Sequence, residues 1–169
     1  MKMAAADAVF ETTKGAGLSV FATGDFESNP QGLNRNIEIP HLLSILATNS
    51  WNGEVKGIND LNREYQAEFG PGDYAPPVAV AYWTWRAMIG AGAAMFLIAL
   101  AALWFARRRK LETSPRLLKL LIAAAALPFI ANFAGWIFTE MGRQPWVVQG
   151  LLLTRDANSP SVSTAEVWI

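Results

Sequence analysis

The run VAVAYWTWRAMIGAGAAMFLIALAALWFA, residues 78–106, holds a single charged residue, Arg86. A helix needs about 20 residues to cross a hydrocarbon layer of roughly 30 Å, so this run is read as a membrane-spanning helix. Residues 120–139 form a second, uncharged run in which Pro128 and Asn132 are the unusual members. Pro128 offers no N–H to the carbonyl of Ala124, and a kink is expected there. Between the runs lie Arg107, Arg108, Arg109, Lys110, Arg116 and Lys119, the basic bias that marks a cytoplasmic connection. The two spans therefore predict an antiparallel hairpin in an all-α membrane protein, as part of a larger helical bundle. The expected divisions are an outer-side loop region over 1–77, a span over 78–106, a basic cytoplasmic loop over 107–119 and a span over 120–141. An outer-side segment, residues 142–169, follows.

Upstream of the first span, Gly15, Gly17, Gly24, Asn29, Pro30, Gly32 and Pro40 punctuate the chain too often for long regular elements. A long loop region with short helices is expected: one in residues 3–10, one behind Pro40, and one over residues 59–69. Residues 70–77, GPGDYAPP, read as a rigid linker into the membrane.

Composition agrees with the membrane reading. Of 169 residues, 52% are hydrophobic and only 17% charged, below the quarter or so usual in soluble domains. Basic and acidic residues balance at 14 each, so no overall field favours nucleic acid, and none is expected as a partner. The absence of cysteine excludes disulfides, iron–sulfur clusters and thiolate ligation. No signal peptide is read at the start. Residue 1 falls inside what reads as a helix, and a new apolar run begins at residues 165–169, so a fragment of a longer chain is expected.

Polar residues in the apolar runs carry the functional signal. A charge within a span costs about 2.5 kcal/mol or more on insertion scales, so Arg86 needs an anionic partner or a wet cavity. Glu140 and Arg143 leave the second span on the same side, so an ion pair between Arg86 and Glu140 is one plain solution. Snorkelling of Arg86 to the headgroups is another. Trp136, Glu140 and Arg143 follow i, i+4, i+7 spacing and share a helix face. Met88, Gly92 and Met95 share one on the first span, where a thioether beside a glycine could meet a planar macrocycle, although methionine also serves as core filler. His41, the single histidine, is read as a helix-start residue with a solvated ring. Catalytic triads, phosphate-binding loops and HExxH motifs are absent.

The run Trp136-Ile137-Phe138-Thr139-Glu140-Met141-Gly142-Arg143-Gln144-Pro145-Trp146 resembles the GWxxxExGRQPW signature of subunit I of cytochrome bd-type quinol oxidases. Arg86-Ala87-Met88 resembles that family's Arg-x-Met motif, and Lys2-Met3-Ala4-Ala5-Ala6-Asp7 with Glu11-Thr12 resembles the start of its quinol-binding loop. The three occur in the family's order, and the similarity covers essentially the whole chain.

The resemblance implies that Met88 is an axial ligand of a low-spin haem b, with Arg86 near that haem. It implies Glu140 as ligand of a high-spin haem b, Trp136 between cofactors, and Arg143 supporting the propionates or the haem pair. Lys2 and Asp7 would contact quinol, although on a helix they differ by about 140° in direction and spacing does not make them one site. The family's loop usually has glutamate where Asp7 stands, and the plain reading of both residues is a solvated face shared with Glu11 and Lys14. The implied cofactors are two b haems and haem d, with quinol and dioxygen as substrates. The implied partners are an N-terminal part of subunit I, which would carry the histidine ligands, together with subunit II, small accessory subunits and the bilayer. The implied location is the bacterial or archaeal cell membrane. The competing class is a non-enzymatic two-span accessory or transporter fragment in which Arg86 and Glu140 pair structurally.

Overall fold

The computed structural model describes residues 1–26 and 33–157, with backbone alone for 33–36. The apolar run expected at 165–169 and the punctuating Asn29, Pro30 and Gly32 lie outside the described residues. The chain is mostly helical, and among the described residues two helical stretches are long and apolar enough to cross a membrane.

Helix α4, Val78–Arg107, begins directly after the prolines at 76 and 77 and runs for 30 residues. Helices α5, Pro115–Ala124, and α6, Leu127–Met141, form the second apolar stretch. The break between them falls where Pro128 leaves the Ala124 carbonyl without its usual donor. There the turn tightens: the N–H of Ala125 donates to the Ile122 carbonyl and that of Ala126 to the Ala123 carbonyl, both at 3.2 Å. The second helix starts at Pro115, with Ser114 as its N-cap and proline in the first turn. It therefore includes Arg116 and Lys119, which the sequence reading placed in the loop. Apolarity alone set that boundary too late, because a basic residue is a good helix former.

Contacts between α4 and α6 run in opposite chain directions. Trp85 meets Phe138 with ring centroids 4.9 Å apart, and the thioether of Met88 lies where a side chain on Gly135 would begin, 2.9 Å from that Cβ position. The hairpin is antiparallel. Its outer surfaces remain apolar, with Phe96, Leu97, Ile122 and Phe129 exposed, as suits contact with lipid or further helices.

The region before α4 holds more structure than expected. Helix α1, Lys2–Ala6, is short. Strand β1, Thr13–Lys14, pairs antiparallel with β4, Glu54–Val55. Strand β2, Leu18–Gly24, pairs antiparallel with β3, Leu33–Ile39, from Leu18 opposite Ile39 to Gly24 opposite Leu33. Gly15, Gly17 and Pro40 border the strands instead of preventing them, and register shifts between Ser19 and Ala22 put Ser19 and Ala22 inside while Val20 and Phe21 stay exposed. Helix α2, Leu42–Thr48, follows His41, and α3, Ile58–Phe69, ends at Gly70. Thr12 fastens α3 by donating from its hydroxyl and backbone N–H to Asp60, which holds that carboxyl below its usual range.

This region rests on one end of the hairpin. Ala4, Ala5 and Ala6 of α1 pack with Ala81, Tyr82 and Phe138 in one buried cluster. Alanine side chains let α1 approach α4 closely, which brings the residue after the helix, Asp7, down to Arg86. Past α6, strands β5, Trp146–Val148, and β6, Leu152–Leu153, form a small hairpin.

Candidate functional site

Arg86 points from α4 into the loop region, and its side chain is only 13% exposed. One terminal nitrogen lies 2.9 Å from the Asp7 carboxylate and also donates to the Ser19 carbonyl. The other donates to the carbonyls of Ala6 at 2.7 Å and Tyr82 at 3.0 Å. Nε donates to the Val20 carbonyl at 3.2 Å, and the guanidinium lies 3.2 Å from the centroid of the Tyr82 ring. Asp7 is 1% exposed and accepts the Ser19 N–H at 3.1 Å. Ser19 in turn shares a 2.8 Å hydrogen bond with the Tyr82 hydroxyl.

Two expectations fall here. Arg86 neither pairs with Glu140 nor snorkels, because Asp7, 79 positions earlier in the chain, meets it first. Asp7 is also not on a solvated face with Glu11 and Lys14. Helix α1 ends at Ala6, and the turn beyond it directs the Asp7 carboxylate inward.

Lys2 goes elsewhere. Its ammonium donates to the Thr139 carbonyl at 3.4 Å and lies 4.8 Å from the Phe138 ring centroid, at the end of α6. Lys2, on α1, and Asp7, in the turn that ends it, thus point to different places. Lys2 lines an open cleft of about 620 Å³, with Tyr65, Arg143, Gln144, Trp146 and Gln149 among its walls. Among the described residues the side chains of Lys2 and Arg143 bring positive charge to this space and no carboxylate lines it. The indole N–H of Trp146 is buried and has no hydrogen-bond acceptor among the described residues.

Trp136, Glu140 and Arg143 occupy the outward side of α6 and its end. Trp136 is 63% exposed, and Arg143 donates to Glu140 at 3.2 Å with both side chains half-exposed. Met88 lies on the other flank of the hairpin contact, partly buried in the notch left by Gly135. A side chain on Gly92 would meet open space among the described residues. The structure therefore brings Arg86 to Asp7, Lys2 to the end of α6 and Glu140 to Arg143, and keeps Met88 and Glu140 apart from the buried ion pair.

His41 starts α2 as expected. Its ring is not simply solvated: it stacks on Trp51, with centroids 5.1 Å apart, and Nδ1 is 3.1 Å from the Trp51 carbonyl oxygen. Among the described residues no cluster of three His, Asp or Glu side chains could hold a metal ion. A haem would need only single donors from this chain and not a cluster. Met88 would offer a thioether, seated against Gly135, and Glu140 a carboxylate with Arg143 beside it, donor types that would suit haem iron and propionates. Sequence reasoning missed Tyr82, Ser19, Tyr65 and Gln149. Of these only Tyr82 left a signal, being one helical turn before Arg86.

Residues 1–169 match the family model described as cytochrome bd terminal oxidase subunit I. The chain belongs to that family. It is 44% identical over 168 residues to cytochrome bd ubiquinol oxidase subunit 1 of Bacillus subtilis, covering 99% of this chain and 36% of that relative. It is also 42% identical over 84 residues to cytochrome bd-II ubiquinol oxidase subunit 1 of Escherichia coli, covering 50% of this chain and 16% of the relative. The chain spans about a third of the length of its Bacillus relative. As a family member with two candidate spanning helices, it is a membrane protein.

Proposed function

We propose that this chain supplies part of a respiratory quinol oxidase in which quinol is oxidised at the outer face and dioxygen is reduced to water. The observation that carries the reading is the outward side of α6, where Trp136, Glu140 and Arg143 stand together. Among the described residues Glu140 is held by no buried cation, and it is open towards whatever packs on that side. Met88 would hold the low-spin haem b and Glu140 the high-spin haem b, with Trp136 between cofactors and Arg143 set to neutralise propionates. When bound, the haems carry electrons singly from quinol through the b haems to haem d. The chain's own part is to place a thioether, a carboxylate and a guanidinium on a rigid hairpin. Lys2 meets quinol in the outer loop region, at the cleft it lines.

The rest of subunit I, subunit II and small accessory subunits would complete the cofactor sites in the cell membrane, with residues 1–77 outside and the basic turn at residues 108–114 inside. The non-enzymatic reading loses its chief support, because Arg86 and Glu140 do not pair. Spectra of the co-expressed complex test the assignment. Glu140→Ala is expected to remove the high-spin haem b signal, and haem d with it, from the reduced-minus-oxidised spectrum. Full retention of both would remove Glu140 as a ligand.

A further inference from the structure

We infer that Asp7 is a positioning residue, which acts on quinol turnover through Arg86 and not by touching substrate. The inference rests on the quinol-oxidase reading above. Three observations carry it. The Asp7 carboxylate is enclosed, with a side chain 2% exposed, and it does not line the cleft that Lys2 lines. Its oxygens are already engaged by the Arg86 guanidinium and the Ser19 N–H. Finally, the pair joins three separate elements. Arg86 holds the Ala6 carbonyl at the end of α1, the Ser19 and Val20 carbonyls on β2 and the Tyr82 carbonyl on α4.

Helical phase gives this knot its reach. Arg86 and Met88 are two residues apart on α4 and so differ by about 200° in direction. Arg86 faces the loop region while the Met88 thioether faces Gly135 on α6. The loop and the Met88 side chain thus bear on opposite sides of one helical turn. Neutralising Asp7 leaves a guanidinium enclosed without its counter-charge, which is far costlier than removing both charges together. That turn must then shift or admit water, and both the seating of α1, which carries Lys2, and the environment of Met88 change with it.

The test uses the intact complex with Asp7→Asn, Asp7→Glu, Arg86→Gln and the double change Asp7→Asn with Arg86→Gln. The readouts are kcat and KM for a water-soluble quinol, the midpoint potential of the low-spin haem, and the melting midpoint. For Asp7→Asn we expect kcat to fall about tenfold with KM within about twofold, a shifted haem potential and a lower melting midpoint. Asp7→Glu keeps the counter-charge and should retain most of kcat. The double change should cost less than the summed losses of Asp7→Asn and Arg86→Gln in melting midpoint, potential and kcat. A rise in KM for Asp7→Asn with unchanged potential and melting would overturn the inference. So would a double variant whose potential and melting losses fall short of the sum while the losses in turnover add in full, since the carboxylate itself would then serve the substrate. If the wild-type complex shows no quinol-driven haem reduction, the broader reading fails. Melting then decides the pairing alone: a loss in the double short of the sum supports it, and additive losses overturn it.

Discussion

Arg86 is the residue whose setting could least be anticipated. A guanidinium in an apolar helix must find a counter-charge or water, and the nearest acid along the second span was Glu140. Its actual partner, Asp7, is remote in sequence and reaches Arg86 only because α1 ends at Ala6 and its alanines pack closely on α4. No periodicity connects positions 7 and 86. By contrast the common face of Trp136, Glu140 and Arg143 was legible, because i, i+4, i+7 spacing is a property of the helix itself. With Arg86 satisfied elsewhere, Glu140 meets the half-exposed Arg143 and keeps an open side. Met88, on the opposite flank, is expected to hold the other b haem. Met88→Leu should abolish the low-spin haem b band of the assembled complex while leaving the high-spin band, and an unchanged difference spectrum would sink that role.

Among the elements, the two spans were readable because each is a long apolar stretch, and the break before α6 because proline removes a defined donor. The hairpin of β2 and β3 was not, since its strands are short and their pairing depends on register, which glycine counts do not reveal. The packing of α4 on α6 was likewise invisible until Met88 was found against Gly135. Adding one methyl at Gly135 puts a carbon 2.9 Å from the Met88 sulfur, too close for either to stay. A methionine side chain can rotate away and alanine gains about 0.5–1 kcal/mol over glycine within a helix, so Gly135→Ala should fold with its stability changed by less than about 1 kcal/mol. It should also shift the potential or lower the content of the low-spin haem. Unaltered haem properties would show that Met88 does not use this notch when the complex is assembled.

At the scale of the molecule, one end of the hairpin carries all the proposed chemistry and the other carries the basic turn. These 169 residues hold no cysteine, so single thiols introduced here report topology without background from this stretch. A thiol at Ser50, in the loop region, should react with a membrane-impermeant maleimide added to intact cells, and one at Thr113, beside the basic turn, should react only after permeabilisation. The reverse pattern would invert the proposed orientation and place the Lys2 cleft inside. The measurement that bears most directly on the proposed function is the visible spectrum of the purified complex before and after anaerobic addition of a water-soluble quinol. Appearance of reduced b-haem bands, followed by their reoxidation when dioxygen is admitted, is the expected result. A complex that carries haem but stays oxidised with quinol, or one that carries no haem, would contradict the assignment.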